Sequence, residues 1–353
     1  MTRMNIAISI PEYDNHLQEI PYLLKLTEYL LTHHPNMTLL LLLEKDSPKV
    51  AMFAANPQVV VWLKVPPRKN FMATLWFRHF RLKRLLRRQR INVFVSHDQS
   101  VKTNDSLYQM LWIDNMARLM KQTAALNRVQ QIIATDEWLC DRIKEKSGTN
   151  AEVITTGFEQ AFNTDNQEIK NKYTDGRDYF CCHALDLRQE QLITLLKGFS
   201  AFKKMQRSGM KLLLLLDTEQ EKNIVASIAN YKYKEDVVCI VDDDVQERQA
   251  LIASAYANIF LQNNISVNQG MMASISAGVP IITDHEPAMQ SAFEEVAAFS
   301  EKTEKDIAKN LMEIYKDETW RQSLINMGYT MAAARSWNEV MSRFNTLIPS
   351  ADS

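Results

Sequence analysis

Short apolar runs that alternate with helical patterns constrain this chain more than any other feature of its sequence. Runs such as Asn5–Ile10, Met37–Leu43 and Ile91–Ser96 predict buried strands, and helical patterns lie between them. Alternation of this kind predicts βαβ units, in which parallel strands form a sheet with helices on both faces. The 353 residues exceed the length of about 250–300 residues at which a single core stops growing, so we expect two domains.

The alternating pattern breaks once and then restarts. A polar segment that contains Asn163–Asn166 predicts a linker over 158–177. We therefore predict a first doubly wound α/β domain over 1–157, a second over 178–336, and a last helical segment over 337–353. Domains of this class bind ligands at the carboxyl ends of their strands, so the cleft between the two is the expected site.

Glycine is scarce, and its scarcity excludes several functions. The chain has eight glycines and none before Gly148. It contains no GxGxxG dinucleotide motif, no GxxxxGK phosphate loop and no HExxH zinc motif, so dehydrogenases, P-loop NTPases and zinc proteases lose their sequence support. The four cysteines show no ligand spacing, which favours buried thiols in a reducing compartment. We expect a cytoplasmic protein without a metal or a cofactor.

Several motifs of the second half occur in an order that matches one known family. A strand and loop at Tyr179–Leu185 precede the segment Leu251–Leu261, the turn Ala277–Ile282 with the sequence A-G-V-P-I-I, and the pair Ser336-Trp337. Together they resemble the donor domain of retaining GT-B glycosyltransferases, which transfer a sugar from a nucleotide sugar to an acceptor without a metal. The resemblance implies a GT-B fold of two Rossmann-like domains, a glycan or lipid-linked acceptor, and a last helix that packs back on the first domain.

The resemblance places the donor site in the second domain, where the charged residues of the family are missing. The family carries two carboxylates with seven residues between them before the turn, but Ile265 and Ala273 stand there, and no Asp or Glu occurs from 248 to 283. A departing nucleoside diphosphate gains negative charge, which cations and backbone amides must stabilise. Arg188 takes the position of the family's arginine, and no cation takes that of its lysine. The predicted donor-binding residues are Arg188, Asn263, Asn264, Asn268, Gln269, Gly270, Met271 and Ser274.

Catalytic candidates in the first domain follow the ends of predicted strands. The family places a histidine at the end of a middle strand, and here Asp114 stands in its place. His97 and Asp98, which follow the strand at Ile91–Ser96, are the nearest substitutes. We therefore predict His97, Asp98 and Asp114 as the catalytic residues, because the carboxyl ends of parallel strands face the ligand.

Two other functions stay open beside glycosyl transfer. A GT-B relative that has lost its catalytic groups could serve as a binding or partner subunit, and the missing acids favour that interpretation. An epimerase acting on a sugar nucleotide would need carboxylates as acid and base, for which Glu12, Asp98 and Asp114 are the candidates. Transfer predicts stabilisation by a nucleotide, whereas a partner subunit predicts co-purification with another protein.

Positive charge is concentrated in one stretch of the first half. The segment from Lys64 to His97 contains ten Lys and Arg and no acid, although the net charge of the whole chain is −1. Residues 76–90 combine these cations with Phe77, Phe80 and Leu85 on helical faces. An ordinary surface helix is one interpretation, and a peripheral contact with the inner face of a membrane is the other. We expect no nucleic-acid binding, because no recognition motif accompanies the charge.

Overall fold

The chain forms two compact units in a computed structural model. One unit takes in the described residues before Phe158 and those from Trp337 onward, and the other takes in the described residues of Phe158–Ser336. The structure describes residues 4–10, 22–43, 53–63, 77–97, 100–102, 106–159, 166–184, 187–216, 218, 221–241, 244–261 and 267–349.

The first unit is built on a parallel sheet, which has seven strands among the residues that the structure describes. Their order across the sheet is β3-β2-β1-β4-β5-β6-β7. The strands are β1 (Asn5–Ile10), β2 (Thr38–Leu43), β3 (Val59–Leu63), β4 (Val93–Ser96), β5 (Tyr108–Ile113), β6 (Gln131–Ala134) and β7 (Glu152–Val153). Helices α1 (Tyr22–His33), α2 (Lys83–Arg88), α3 (Met116–Leu126) and α4 (Glu137–Ser147) lie between them, and a π-helix at Phe77–Leu82 leads into α2.

The second unit repeats this plan with six described parallel strands. Their order is β10-β9-β8-β11-β12-β13. The strands are β8 (Tyr179–His183), β9 (Lys211–Leu216), β10 (Val237–Val241), β11 (Ala257–Phe260), β12 (Ile281–Asp284) and β13 (Ala297–Ser300). The α-helices are α5 (Asn166–Thr174), α6 (Gln189–Gln206), α7 (Glu221–Ile228), α8 (Val245–Ala253), α9 (Gln269–Ser276), α10 (Pro287–Phe293), α11 (Glu304–Lys316) and α12 (Glu318–Ala334). The doubly wound α/β architecture predicted from the alternating pattern is confirmed in both units.

Local sequence signals explain where individual helices begin and end. Helix α4 starts at Asp136, whose side chain accepts a hydrogen bond from the backbone N–H of Leu139 at 2.8 Å. It stops at Gly148, which has a left-handed φ of 69° that glycine adopts without steric cost. Both positions follow from residue type, since Asp is a preferred N-cap and Gly is a preferred residue directly after a helix.

Two predicted segments differ in the structure. The segment over 158–177, predicted as a linker, contains helix α5, whose Ile169 is buried among core residues of the second unit. A polar helix with few apolar contacts has the composition of a loop, which is why the sequence did not reveal it. The helix expected over the basic residues 76–90 is divided in its described part into the π-helical turn and α2.

The last helix returns to the first unit. Helix α13 (Trp337–Thr346) places Phe344 against Trp112 of β5, with the two rings stacked 5.2 Å apart. A Cβ on Gly157 would lie 2.6 Å from the Trp337 ring, so only glycine leaves room for this tryptophan. No helix in the described part of the chain is long and apolar enough to span a bilayer.

Candidate functional site

Each sheet reverses its strand order at one point, and the candidate residues lie there. The reversal falls between β1 and β4 in the first unit and between β8 and β11 in the second. In doubly wound sheets the loops that leave such a point run in opposite directions and open a crevice at the carboxyl ends of the strands.

His97 and Asp114 come together in the first unit through a third residue. His97 follows β4 and is fully buried, with Nδ1 3.1 Å from the carbonyl oxygen of Trp112. A carbonyl oxygen only accepts hydrogen bonds, so Nδ1 carries the proton in this geometry. The guanidinium of Arg118, on α3, lies 3.4 Å from the same Nδ1 and forms an ion pair with Asp114.

The ion pair between Arg118 and Asp114 is largely removed from water. Their side chains are 19% and 14% exposed, respectively. Asn115 positions both residues, because its Nδ2 donates to Asp114 at 2.9 Å and its Oδ1 accepts from the backbone N–H of Arg118 at 2.9 Å. Burial raises the pKa of the Asp114 carboxyl, and the charge of Arg118 opposes that shift. The cluster offers a carboxylate and a guanidinium, a pair that can orient sugar hydroxyls.

An aromatic wall lies beside this cluster in the same unit. The ring of Tyr22, at the start of α1, is 4.6 Å from the ring of Trp112 and 6.3 Å from that of His97. Its hydroxyl lies 2.5 Å from Oγ1 of Thr156, and both residues are buried. Burial raises the pKa of Tyr22, and the charge of Asp114 raises it further. Tyr22 therefore stays a neutral phenol.

Sequence reasoning missed Arg118 and Tyr22. Arg118 follows Asp114 at the i,i+4 spacing of a helical ion pair, directly after a strand and an N-cap asparagine, so a signal was available. Tyr22 gave no such signal, because it approaches His97 only in the folded sheet. Asp98, the third predicted catalytic residue, lies outside the described residues.

In the second unit, the start of helix α9 packs against the end of strand β8. His183, the last residue of β8, is 4% exposed, and its ring stacks on Phe260 with centroids 4.1 Å apart. A Cβ on Gly270 would be 2.8 Å from Cε1 of that imidazole, so glycine allows the helix to approach this closely. Asn268 caps the helix by accepting a hydrogen bond from the backbone N–H of Met271 at 3.1 Å.

The electrostatics of this crevice favour an anion. Burial is the main cause that lowers the pKa of His183 to about 3, and the nearby charge of Arg248 contributes to the same shift, so the imidazole is neutral at neutral pH. Arg248, on α8, is only 3% exposed. Its guanidinium acts electrostatically on His183, and the N-terminus of α9 adds the positive end of a helix dipole. Neither His183 nor Arg248 was predicted as a site residue, although His183 ends a predicted strand.

The other predicted donor-binding residues occupy different environments. Arg188 has an exposed side chain at the start of α6. Gln191 of the same turn donates to the carbonyl of Leu261 at 2.7 Å, which holds this turn against the end of β11. Ser274 donates to the carbonyl of Gly270 at 2.7 Å, so its hydroxyl serves the helix.

The remaining members of the predicted donor set divide into three kinds. Met271 is fully buried, and Gln269 is partly exposed in the first turn of α9. Asn263 and Asn264 lie outside the described residues. Within the described ranges no group of three or more His, Cys, Asp or Glu side chains is placed to hold a metal ion.

Two Rossmann-like units in series, each with a crevice at the carboxyl ends of its strands, define the GT-B fold, as predicted. No family model and no curated protein matches the sequence. Solved structures do match. A glycosyltransferase from Rickettsia africae is 9% identical with a TM-score of 0.73, and the match covers 98% of both chains.

Two further solved structures are similar over nearly the whole chain. Sucrose-phosphate synthase from Thermosynechococcus elongatus is 13% identical with a TM-score of 0.73, covering 98% of both chains. HepE from Anabaena, solved in complex with UDP-glucose, is 12% identical with a TM-score of 0.70, covering 98% of this chain and 100% of that one. At these identities the likeness establishes the fold.

Proposed function

We propose that the protein transfers a glycosyl group from a nucleotide sugar to a glycan or lipid-linked acceptor. The observation that carries this proposal is the arrangement of the second unit, where the capped start of α9 packs against His183 at the reversal of the sheet and the buried guanidinium of Arg248 acts electrostatically on that imidazole. Two of the structural neighbours are a glycosyltransferase and a protein with bound UDP-glucose, which supports the same assignment.

The reaction needs positive charge where the nucleoside diphosphate departs. When the bond between the anomeric carbon and the diphosphate oxygen breaks, negative charge grows on that oxygen. Arg248 and the first backbone amides of α9 would stabilise it, and Arg188 would supply a second cation from the start of α6. We assign these groups the task that a metal or the missing lysine would otherwise perform, with retention of configuration and no cofactor.

The first unit would receive the acceptor. The Asp114 carboxylate would accept a hydrogen bond from the attacking hydroxyl, and Arg118 would hold that carboxylate in place. The hydroxyl oxygen would bond to the anomeric carbon as the diphosphate leaves, and the hydroxyl proton would pass to the departing diphosphate oxygen. The rings of Tyr22 and Trp112 are buried, so they do not offer a surface to a sugar ring. Their role would be to support the residues that line the crevice. Asp98 stays a predicted catalytic residue.

The first experiment is thermal unfolding of the full chain with UDP, GDP and their sugars. A ligand at 100 times its Kd adds about 2.7 kcal/mol to the free energy of unfolding, which raises the Tm measurably. We expect one nucleotide class to raise the Tm of the wild type and to have little effect on Arg248→Met. The matched control is Arg177→Met. Arg177 is exposed and lies before the amino end of β8, away from the carboxyl ends of the strands where the nucleotide would bind.

Turnover of the responding sugar nucleotide then separates the possible functions. Transfer predicts release of the nucleoside diphosphate with a new glycoside, in the presence of EDTA. Appearance of an epimeric sugar nucleotide would instead establish an epimerase. If no nucleotide shifts the Tm of the folded protein, the proposal fails and a partner subunit is the better interpretation.

A further inference from the structure

A basic cavity lies in the first unit, at the amino ends of strands β4 and β5. His97 and Asp114 follow the opposite, carboxyl ends of the same strands. The cavity has a volume of about 330 Å³ and is lined by residues that precede β4 and β5 and by helix α2. Lys83, Arg87 and Arg90 surround it, and Leu86 and Leu107 are among the apolar residues that form its floor. None of the described residues that line it is acidic. The cavity therefore combines three cations with an apolar surface.

A strained turn at the end of helix α2 fixes the position of one of these cations, Arg90. The backbone N–H of Ile91 donates to the carbonyl of Leu86, and that of Arg90 donates to Arg87, which together form a Schellman motif. Arg90 occupies its left-handed position with φ of 50°, where glycine is the common residue. Asn5 stabilises the turn, since its Nδ2 donates to the carbonyl of Arg90 at 3.1 Å.

An exposed aromatic side chain precedes the cavity. Phe80, in the π-helical turn before α2, is 68% exposed, the highest fraction among the large apolar side chains in the described residues. Arg81, Arg84 and Arg88, which follow it in the sequence, are also exposed. Leu82 and Leu85 are buried on the other side, so the apolar face of the helix is already covered by the core. Packing in the core of this unit therefore does not explain why an aromatic residue occupies position 80.

We propose that this surface, Phe80 together with the cavity of Lys83, Arg87 and Arg90, binds the anionic phospholipids of a bilayer. The phosphate of a headgroup enters the cavity among the three cations, and the Phe80 ring inserts at the interface between headgroups and acyl chains. The apolar floor and the exposed ring distinguish this ligand from inorganic phosphate, which has no apolar part. They also distinguish it from nucleic acid, whose backbone requires a row of cations along a groove.

The lipid site is independent of the proposed glycosyl transfer. It lies at the amino ends of β4 and β5, whereas His97 and Asp114 follow their carboxyl ends. A failure to bind lipid would leave the transfer reaction untouched, and the reverse holds as well.

Co-sedimentation of the full chain with vesicles tests the proposal. Vesicles of equimolar phosphatidylcholine and phosphatidylglycerol are compared with phosphatidylcholine alone. We expect binding to the anionic vesicles that weakens as salt rises. The variant Lys83→Gln, Arg87→Gln, Arg90→Gly should lose affinity on the order of a hundredfold, from about fivefold per cation. Phe80→Ala should lower it further without changing the Tm, since that ring is exposed.

Two controls keep the result interpretable. Lys121→Gln, Lys144→Gln and Lys146→Gln together remove the same charge from exposed positions on α3 and α4, and this variant should keep most of the affinity. Arg90→Gly alone should bind lipid more weakly and unfold at a higher temperature, because glycine relieves the left-handed backbone. A loss of lipid binding in that variant cannot be attributed to unfolding.

Several outcomes would overturn the proposal. One is equal binding to neutral and anionic vesicles. Another is an equal loss of affinity in both triple variants, which would mean that charge anywhere on the unit suffices. A third is saturation of the cavity by inorganic phosphate or by an RNA oligonucleotide in the absence of any vesicle binding.

Discussion

The imidazole of His183 lies so close to the Cα of Gly270 that a Cβ there would be 2.8 Å from Cε1 and 3.0 Å from Nδ1. Side-chain carbons do not approach other atoms at such distances, so any larger residue at 270 would displace the ring or the first turn of α9. The ring is also held by Phe260. A histidine at the end of a strand therefore sets how closely the helix start approaches the sheet at the candidate donor site.

Replacing Gly270 with alanine should destabilise the second unit and weaken its response to nucleotides. Overpacking in a well-packed interior costs about 1–3 kcal/mol, and here the obstacle is a ring that cannot move freely. Urea denaturation measures the loss. Gly209→Ala is the matched control, because its nearest atom, Cδ of Arg177, would be 3.9 Å away. Equal losses for the two alanines would show that the contact with His183 is unimportant.

The stability of the protein should fall as the pH drops from 7 to 5, in part because of His183. Its pKa is lowered to about 3 in the folded state, so the unfolded chain binds a proton between about pH 6.5 and 3 that the folded chain does not. The linkage relation gives a loss of about 2 kcal/mol between pH 7 and pH 5 from this residue.

The variant His183→Gln removes that titrating group. Its free energy of unfolding should therefore change less than that of the wild type over the same range. His33→Gln, at an exposed position at the end of α1, is the control for removing a histidine. If the free energy of unfolding of His183→Gln changed with pH as much as that of the wild type, His183 would not be the group responsible for the pH dependence.

Asp114 and Arg118 should show a large coupling in a double-mutant cycle. Asp114→Asn leaves the guanidinium of Arg118 without its anionic partner, and the small exposure of both side chains makes a loss of about 1–3 kcal/mol reasonable. Arg118→Met in the same background should add little, because the pair is already broken. Glycosyl transfer should decrease in both variants while stabilisation by the nucleotide is retained.

The exposed pair Lys309 and Glu313 serves as the matched control. It has the same i,i+4 spacing, but its side chains are 62% and 46% exposed, so its coupling should be about 0.3 kcal/mol. If the two cycles gave similar couplings, the pair at the first crevice would behave as a surface ion pair.

Tyr22→Phe should destabilise the first unit by about 1–2 kcal/mol. The substitution leaves the buried hydroxyl of Thr156 without its partner, whereas Tyr22→Phe combined with Thr156→Val removes both polar groups and should cost less than the two single changes summed. Thermal and urea unfolding measure these differences. Strict additivity would mean that the 2.5 Å contact contributes nothing.

Much of the fold could be predicted because its signals are local. The apolar runs at Asn5–Ile10 and Met37–Leu43 contain strands β1 and β2, and Asp136 and Gly148 bound a helix as their residue types indicate. The order of motifs from Tyr179 onward also indicated the GT-B fold. Helix α5 was missed because it carries only a few buried residues in a polar sequence, so the sequence shows no helical periodicity of apolar residues there.

The candidate sites could be predicted only in part. His97 and Asp114 were predicted from their positions after strands, and the start of α9 from the resemblance. Their partners required the folded chain, because Arg118 reaches His97, and His183 reaches Gly270, across elements whose neighbours depend on the order of strands in the sheet. Strand order depends on packing between distant segments, which hydrophobic periodicity does not encode. Periodicity and end signals in the chain therefore specified the elements, while packing brought together the charges and rings that form the crevices.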